Sequence, residues 1–228
     1  MPKTKRVVGD LFFVGQLLIA AWMCGVQFRH MMLFGMQGLS FTMLIFVGAF
    51  IGIVLWRNIK AHQNQPSRIT KQNIAVFLWW TVAWGLLTVP IARSLLRGEE
   101  IGWGTYENIS LIGTFVCVGI MWKVTHSDNQ LFSNLQSEPM FWGLAALVFK
   151  SVPQLFQAGK IGLMGGEGLA FGAIIAGHVS IVLRATLLKF SWDELPSDDN
   201  RRGVLISEVG NGISWGLVLI VWLWWWYK

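Results

Sequence analysis

Charge is what this chain has least of. Only 13% of its 228 residues are charged, about half the ~25% typical of soluble domains. With a mean hydropathy of +0.53, this argues against a water-soluble globule. A hydrophobic fraction of 54% excludes a disordered chain, which requires low hydrophobicity. Cysteine is scarce too. Cys24 and Cys117 cannot build a disulfide scaffold, and both lie in apolar runs, where reduced and packed thiols are expected. The sequence has no Cys/His cluster with zinc spacing and no serine–histidine–acid constellation. The glycine-rich stretch 162–168 lacks the Lys-Ser/Thr ending of a phosphate-binding loop. Neither an enzyme nor a cofactor is therefore expected. The net charge of +6 sits between apolar runs, where it anchors and orients a chain in a bilayer rather than contacting nucleic acid.

Long apolar runs are present instead. Seven stretches, 7–28, 39–56, 74–92, 101–122, 140–159, 161–182 and 204–227, approach the ~20 residues needed to cross the hydrocarbon layer. Backbone polar groups must be satisfied within lipid, so helices are expected. Runs such as Leu44-Ile45-Phe46-Val47 lack the period-two alternation of a membrane barrel. The first stretch is too long for a signal h-region and has no small-residue cleavage site, so it reads as a span. Trp56, Trp79, Trp80, Trp122, Trp142 and the group from Trp222 to Trp226 lie near span ends as interfacial anchors. Trp22, Trp84 and Trp215 sit deeper and are candidates for lining a cavity. Twelve Lys and Arg fall on the N-terminal side, against five opposite: Arg29, Arg93, Arg97, Lys160 and Lys228. This bias predicts a cytoplasmic N-terminus in a plasma or inner membrane, although the sixth connection also holds Asp193, Glu194, Asp198 and Asp199.

The sequence also repeats itself. Val26-Gln27-Phe28 corresponds to Pro153-Gln154-Leu155, Gly38-Leu39-Ser40-Phe41 to Gly168-Leu169-Ala170-Phe171, and Trp84-Gly85-Leu86-Leu87 to Trp215-Gly216-Leu217-Val218. The offsets are 127, 130 and 131 residues. The expected fold is all-α and integral to the membrane. Its seven transmembrane helices form two parallel three-helix bundles (7–96 and 140–227) joined by a linker helix (101–124). Parallel repeats of this kind occur in transporters, with the solute path between the halves.

Ser151-Val152-Pro153-Gln154-Leu155-Phe156, a short loop, and then Glu167-Gly168-Leu169 before another apolar span resembles the PQ-loop superfamily. That group includes the SWEET sugar transporters, cystinosin-like transporters and KDEL receptors. The three-one-three layout covers almost the whole chain. The first repeat departs from the motif, with Val26-Gln27 in place of Pro-Gln. The charge bias also favours an N-in orientation, whereas eukaryotic members resemble N-out proteins. The resemblance implies a transporter, either a facilitator or proton-linked, that moves a small polar solute by alternating access. It places a solute-binding asparagine of the third helix on Asn211. The alternative is a non-transporting receptor of the KDEL-receptor type, with a cationic cavity to which Arg29, Arg93 and Arg184 would contribute.

Several residues can carry such a function. Pro153 removes a backbone hydrogen bond and can kink its helix into a hinge, and Gln154 can bond a carbonyl freed there. Lys150, one turn earlier, needs a partner or water at bilayer depth. Of Asp10, Glu107, Glu167 and Glu208, the last is the most attractive partner, and Asp10 and Glu107 default to the interface. Glu208, Asn211 and Trp215 share a helical face and together supply acceptor, amide and flat platform. The repeat alignment sets Trp80 opposite Asn211 and Phe77 opposite Glu208, with Trp84 matched to Trp215. Glu167 and His178, eleven residues apart, return to nearly one helical face and are candidate stations for protons. Gln27 stands with Gln154 as a gating candidate. Expected partners are the solute, possible protons in transit and the bilayer, without nucleic acid.

Overall fold

In a computed structural model, residues 3–191 and 198–228 are described. Asp193 and Glu194 lie outside the described residues, as do the side chains of Lys3, Lys5, Arg6, Asp198, Asp199 and Arg201. The described residues are helical, with no strand among them. The helices are α1 (Lys3–Phe34), α2 (Phe41–Asn64), α3 (Arg68–Leu86), α4 (Thr88–Leu96), α5 (Thr105–Thr125), α6 (Glu138–Ala146), α7 (Val152–Met164), α8 (Phe171–Ser191) and α9 (Asp198–Trp226). Five segments are long and apolar enough to cross a bilayer: Val7–Phe34, Phe41–Asn64, Thr70–Leu96, Thr105–Thr125 and Arg202–Trp226. Phe171–Leu187 is a shorter apolar helix. The chain is thus an all-helical protein of the multi-pass membrane type.

Local chemistry sets the helix ends. Ser40 caps α2 by accepting from the Met43 N–H at 3.3 Å, and Ser67 with Thr70 forms a reciprocal capping box on α3. Pro90 lacks the N–H that would bond back to Leu86, and the third apolar run turns at Leu87 into the short α4. The fifth run is interrupted as well. A wide π turn, Leu147–Ser151, joins α6 to α7 immediately before Pro153. A proline ring clashes with the carbonyl four residues earlier in a regular α-helix, and the widened turn relieves that clash. The sixth run corrects the expectation from hydropathy. Residues 161–164 finish α7, a turn follows, and α8 begins only at Phe171. Gly165, at φ +95°, makes that turn.

The segments α1–α4 and α6–α9, called here the first and second halves of the chain, pack in a similar manner. α3 lies against both α1 and α2, and α9 against α6, α7 and α8. In each half, the third helix therefore mediates between the first two. The halves meet through α1 against α8 and through α2 against α7 and the π turn. The α6–α9 crossing is close because Gly143 faces Gly203, where a Cβ on Gly143 would lie 2.6 Å from the Gly203 backbone. The buried apolar core runs along the seam between the halves, through Met23, Leu39, Ile161, Leu169, Ile174 and Val218. Helix α5 touches both halves, against α2 on one side and α7 on the other.

Candidate functional site

A cavity of about 90 Å³ lies in this seam. Three tryptophans line it: Trp80 and Trp84 from α3, and Trp215 from α9. Glu208, Asn211, Gln154 and Lys150 line it as well, so seven residues singled out in the sequence meet in one place. Glycines seat two of the indoles. A Cβ on Gly48 of α2 would stand 3.1 Å from the Trp84 ring, and one on Gly177 of α8 would stand 3.2 Å from Trp215. Trp84 thus brings its Nε1 edge against Gly48, and Trp215 its six-membered ring against Gly177. Trp84 also donates to the Leu44 carbonyl at 2.9 Å. Trp22 does not join them, because it is 63% exposed on the outer face of α1.

The polar wall belongs mainly to the second half. Glu208 is buried between two cations, with Lys150 Nζ at 3.7 Å and Arg184 Nε at 2.9 Å. Neither carboxylate oxygen of Glu208 has a hydrogen-bonding partner among the described residues. Lys150 meets Glu208, the partner expected because its helix belongs to the same three-helix unit, but Arg184, expected only in a receptor site, comes closer. Gln154 does not bond a freed backbone carbonyl. Its Nε2 donates to Asn211 Oδ1 at 3.0 Å and its Oε1 accepts from the Ser214 hydroxyl. From the first half, Gln16 donates to the Ser180 carbonyl at 2.8 Å across the α1–α8 contact.

One end of the seam is closed by two turns with matching geometry. Gly35 donates to the Met31 carbonyl, and Gly165 to Ile161; Leu39 donates to Met36, and Leu169 to Gly166. All four correspondences have an offset of 130 residues. At this offset Gln27 matches Gln157, not Gln154, which corrects the register of the first sequence anchor. Gln27 Nε2 donates to the Gly168 carbonyl at 2.8 Å, and its Oε1 accepts from the Ala170 N–H at 3.0 Å. Gln157 Nε2 donates to the Gly38 carbonyl at 2.6 Å, and its Oε1 accepts from the Ser40 N–H at 2.5 Å. Each glutamine therefore holds the turn of the opposite half. Gly38 must be glycine here, since its φ is +80° and a Cβ would strike the Gly165 carbonyl. Counting 130 residues on from Gln27 would have found Gln157.

Beside this clasp lies a fully buried ion pair that the sequence reading misplaced. On hydropathy alone Lys160 belongs to a loop and Glu107 to the interface. Instead Lys160 Nζ donates to Glu107 Oε1 at 2.6 Å and to the Leu39 and Gly102 carbonyls at 2.7 and 3.1 Å. Glu107 Oε2 accepts from the N–H and hydroxyl of Thr42 at 3.0 and 3.1 Å. Helix α5 is thereby tied to both halves. Between clasp and cavity lies a pocket of about 10 Å³, touched by Gln27, Leu39, Leu169, Trp84, Trp215 and Cys24. On the opposite, N-terminal side is a vestibule of about 280 Å³. Phe50 and Arg184 line both the vestibule and the central cavity. Its rim holds the Arg57–Glu138 ion pair at 2.7 Å, with the guanidinium 3.7 Å above the Trp142 ring.

Glu167 and His178 do not share a helix. Glu167 lies exposed in the turn before α8, and its carbonyl contacts the His30 ring. His178 Nδ1 lies 2.9 Å from the Ile174 carbonyl, at the edge of Trp215. The two share no face because α8 starts four residues after Glu167. Asp10 bonds Arg68 and Gln72. Arg29 is exposed, and Arg93 donates to the Met32 sulfur at 3.3 Å, so of the three arginines named for a receptor site only Arg184 lines the cavity. No protein-family model, characterised protein or solved structure matches this chain.

Proposed function

We propose that the chain is a membrane transporter for a small polar solute, working by alternating access between two three-helix units. The first unit is α1, α2 and α3–α4, the second is α6–α7, α8 and α9, and α5 is the linker of a three-one-three arrangement like that of the PQ-loop superfamily. The observation that carries this reading is the cavity in the seam, with a vestibule at one end and a clasp at the other. Solute sits against Trp84 and Trp215, with Asn211 as a polar contact, Glu208 in the same polar wall and Trp80 closing the first unit's wall. The π turn before Pro153 is the flexing point, because its carbonyls are already outside the regular α ladder. Lys150 sits on that turn, so flexing there changes the polar wall directly. Gln27 and Gln157 close the far side, and opening it exchanges their four hydrogen bonds for bonds to water. By the charge bias the vestibule faces the cytoplasm. A receptor without transport would rest on a cationic cluster, and Arg184, the one described arginine lining the cavity and paired with Glu208, favours it less.

The test is uptake of sugars, amino acids, nucleosides and carboxylic acids into vesicles reconstituted with purified protein. Flux of one class, lost in Asn211→Ala and Trp215→Ala while the folded fraction is kept, is the expected result. A folded protein that moves none of them would reject transport.

A further inference from the structure

The charged groups facing the cavity do not balance. Among the described residues that line it, Lys150 on the π turn and Arg184 on α8 are cations, and Glu208 on α9 is the single acid. The first unit contributes Gln16, Met23, Phe77 and tryptophans, none of them ionisable at neutral pH. The site therefore carries one positive charge in excess at bilayer depth, which is costly unless something supplies the missing negative charge.

The two cations also have donors to offer. The Lys150 side chain is nine-tenths buried, and 3.7 Å separates its ammonium from Glu208, beyond hydrogen-bond distance. Apart from Glu208, no described residue accepts from its three N–H donors, and the Phe50 ring lies 5.4 Å away. Arg184 approaches Glu208 through Nε alone and spreads its guanidinium 5.3 Å over Phe77, so its planar fork is not engaged in a two-point carboxylate contact. Both cations keep free donors and the two Glu208 oxygens keep free acceptors, so the excess positive charge, rather than a count of hydrogen bonds, sets the sign of the ligand.

We infer that this cavity takes a small organic monocarboxylate, held by Lys150 and Arg184, with its apolar part against Trp84 and Trp215. The inference rests on the reading of this cavity as the solute site and names the class of solute. Glu208 is then a placeholder. It partly neutralises the two cations when the site is empty and loses Arg184 to the ligand when it is filled. Because Arg184 also lines the vestibule, an anion arriving from that side meets it first.

Matched probes separate charge from shape. Benzoate, benzamide and benzamidine are planar and nearly isosteric, as are acetate, acetamide and acetamidine, and each series runs from anion through neutral to cation. Thermal unfolding of the purified full chain in detergent is followed against each probe, with chloride as a further arm. Saturable stabilisation by a carboxylate and not by its amide or amidine is expected. It should weaken at least tenfold in affinity in Lys150→Gln and Arg184→Gln, and survive in Lys150→Arg. Glu208→Gln should bind the anion as tightly or more tightly, whereas a cationic or amine-bearing solute would lose its site there. Selective stabilisation by an amide or amidine, equal stabilisation by chloride, or no response in either series would overturn the assignment. If a carboxylate binds but is not taken up by vesicles, the solute class stands and transport falls. If a sugar or amine is taken up, transport stands and the solute class falls.

Discussion

Gln27 and Gln157 occupy the same position in the two halves, and each is hydrogen-bonded to the turn that the other half presents. Both ends of each amide are used, so neither bond breaks without freeing a backbone group of the opposite turn. A buried group left without a partner costs ~1–3 kcal/mol.

Loss of this clasp should open the far end of the seam. Cys24 lies beneath it, buried at 3% exposure and lining the small pocket. In a Cys117→Ser background, Gln157→Ala should raise labelling of Cys24 by a membrane-impermeant maleimide roughly tenfold, given the unpaired-group cost above. Gln27→Ala should act similarly and the double variant more strongly. Unchanged labelling in all three would show that the turns close without the glutamines.

The Lys160–Glu107 pair should behave as a buried salt bridge. Lys160→Met leaves an uncompensated carboxylate and two unmet backbone carbonyls, and should destabilise the fold by about 3–5 kcal/mol. Lys160→Met with Glu107→Gln should recover a substantial part of that loss. Thermal or denaturant unfolding of the three proteins checks this. A double variant no better than the single would mean that the ammonium's bonds to Leu39 and Gly102 dominate.

Restoring an ordinary helix at the π turn should affect function more than stability. Pro153→Ala removes the ring clash and allows the N–H at 153 to bond. Stability should change by less than about 1 kcal/mol, because helix propensity and the lost wide turn offset each other. Lys150 would rotate away from Glu208, and carboxylate binding and uptake should fall. Wild-type binding in Pro153→Ala would dissociate the turn from the site.

Filling the floor beneath an indole should block the cavity. Gly177→Val places two methyl groups where Trp215 now lies, at a cost of about 1–3 kcal/mol from overpacking. The ring is pushed into the cavity, so probe binding should be lost in a protein that still folds. Gly48→Val should do the same through Trp84. Ligand titration of both variants, normalised to the folded fraction, decides the matter.

The sequence was most legible where chemistry is local. Apolar runs announced the helices, Pro153 announced a distortion, and the Glu208–Asn211–Trp215 spacing put those side chains on one face. It was least legible at breaks inside apolar runs. Residues 161–164 are as apolar as a span start, so only the glycine turn at 165 reveals that α7 ends there. Lys160 reads as a boundary charge on hydropathy alone, because nothing local signals the acid of α5 that receives it. Glu167 and His178 match the period of a helix, but the turn between α7 and α8 takes Glu167 off it.

By itself the sequence determined an all-helical chain for a bilayer, since hydropathy is carried by neighbouring residues. The tertiary structure alone decided which polar groups meet. Gln27 pairs with a turn 141 residues away, Arg184 reaches Glu208 from another helix, and Glu107 finds Lys160. In an apolar medium each buried polar group must find a partner, and that partner is chosen by packing across the seam rather than by distance along the chain.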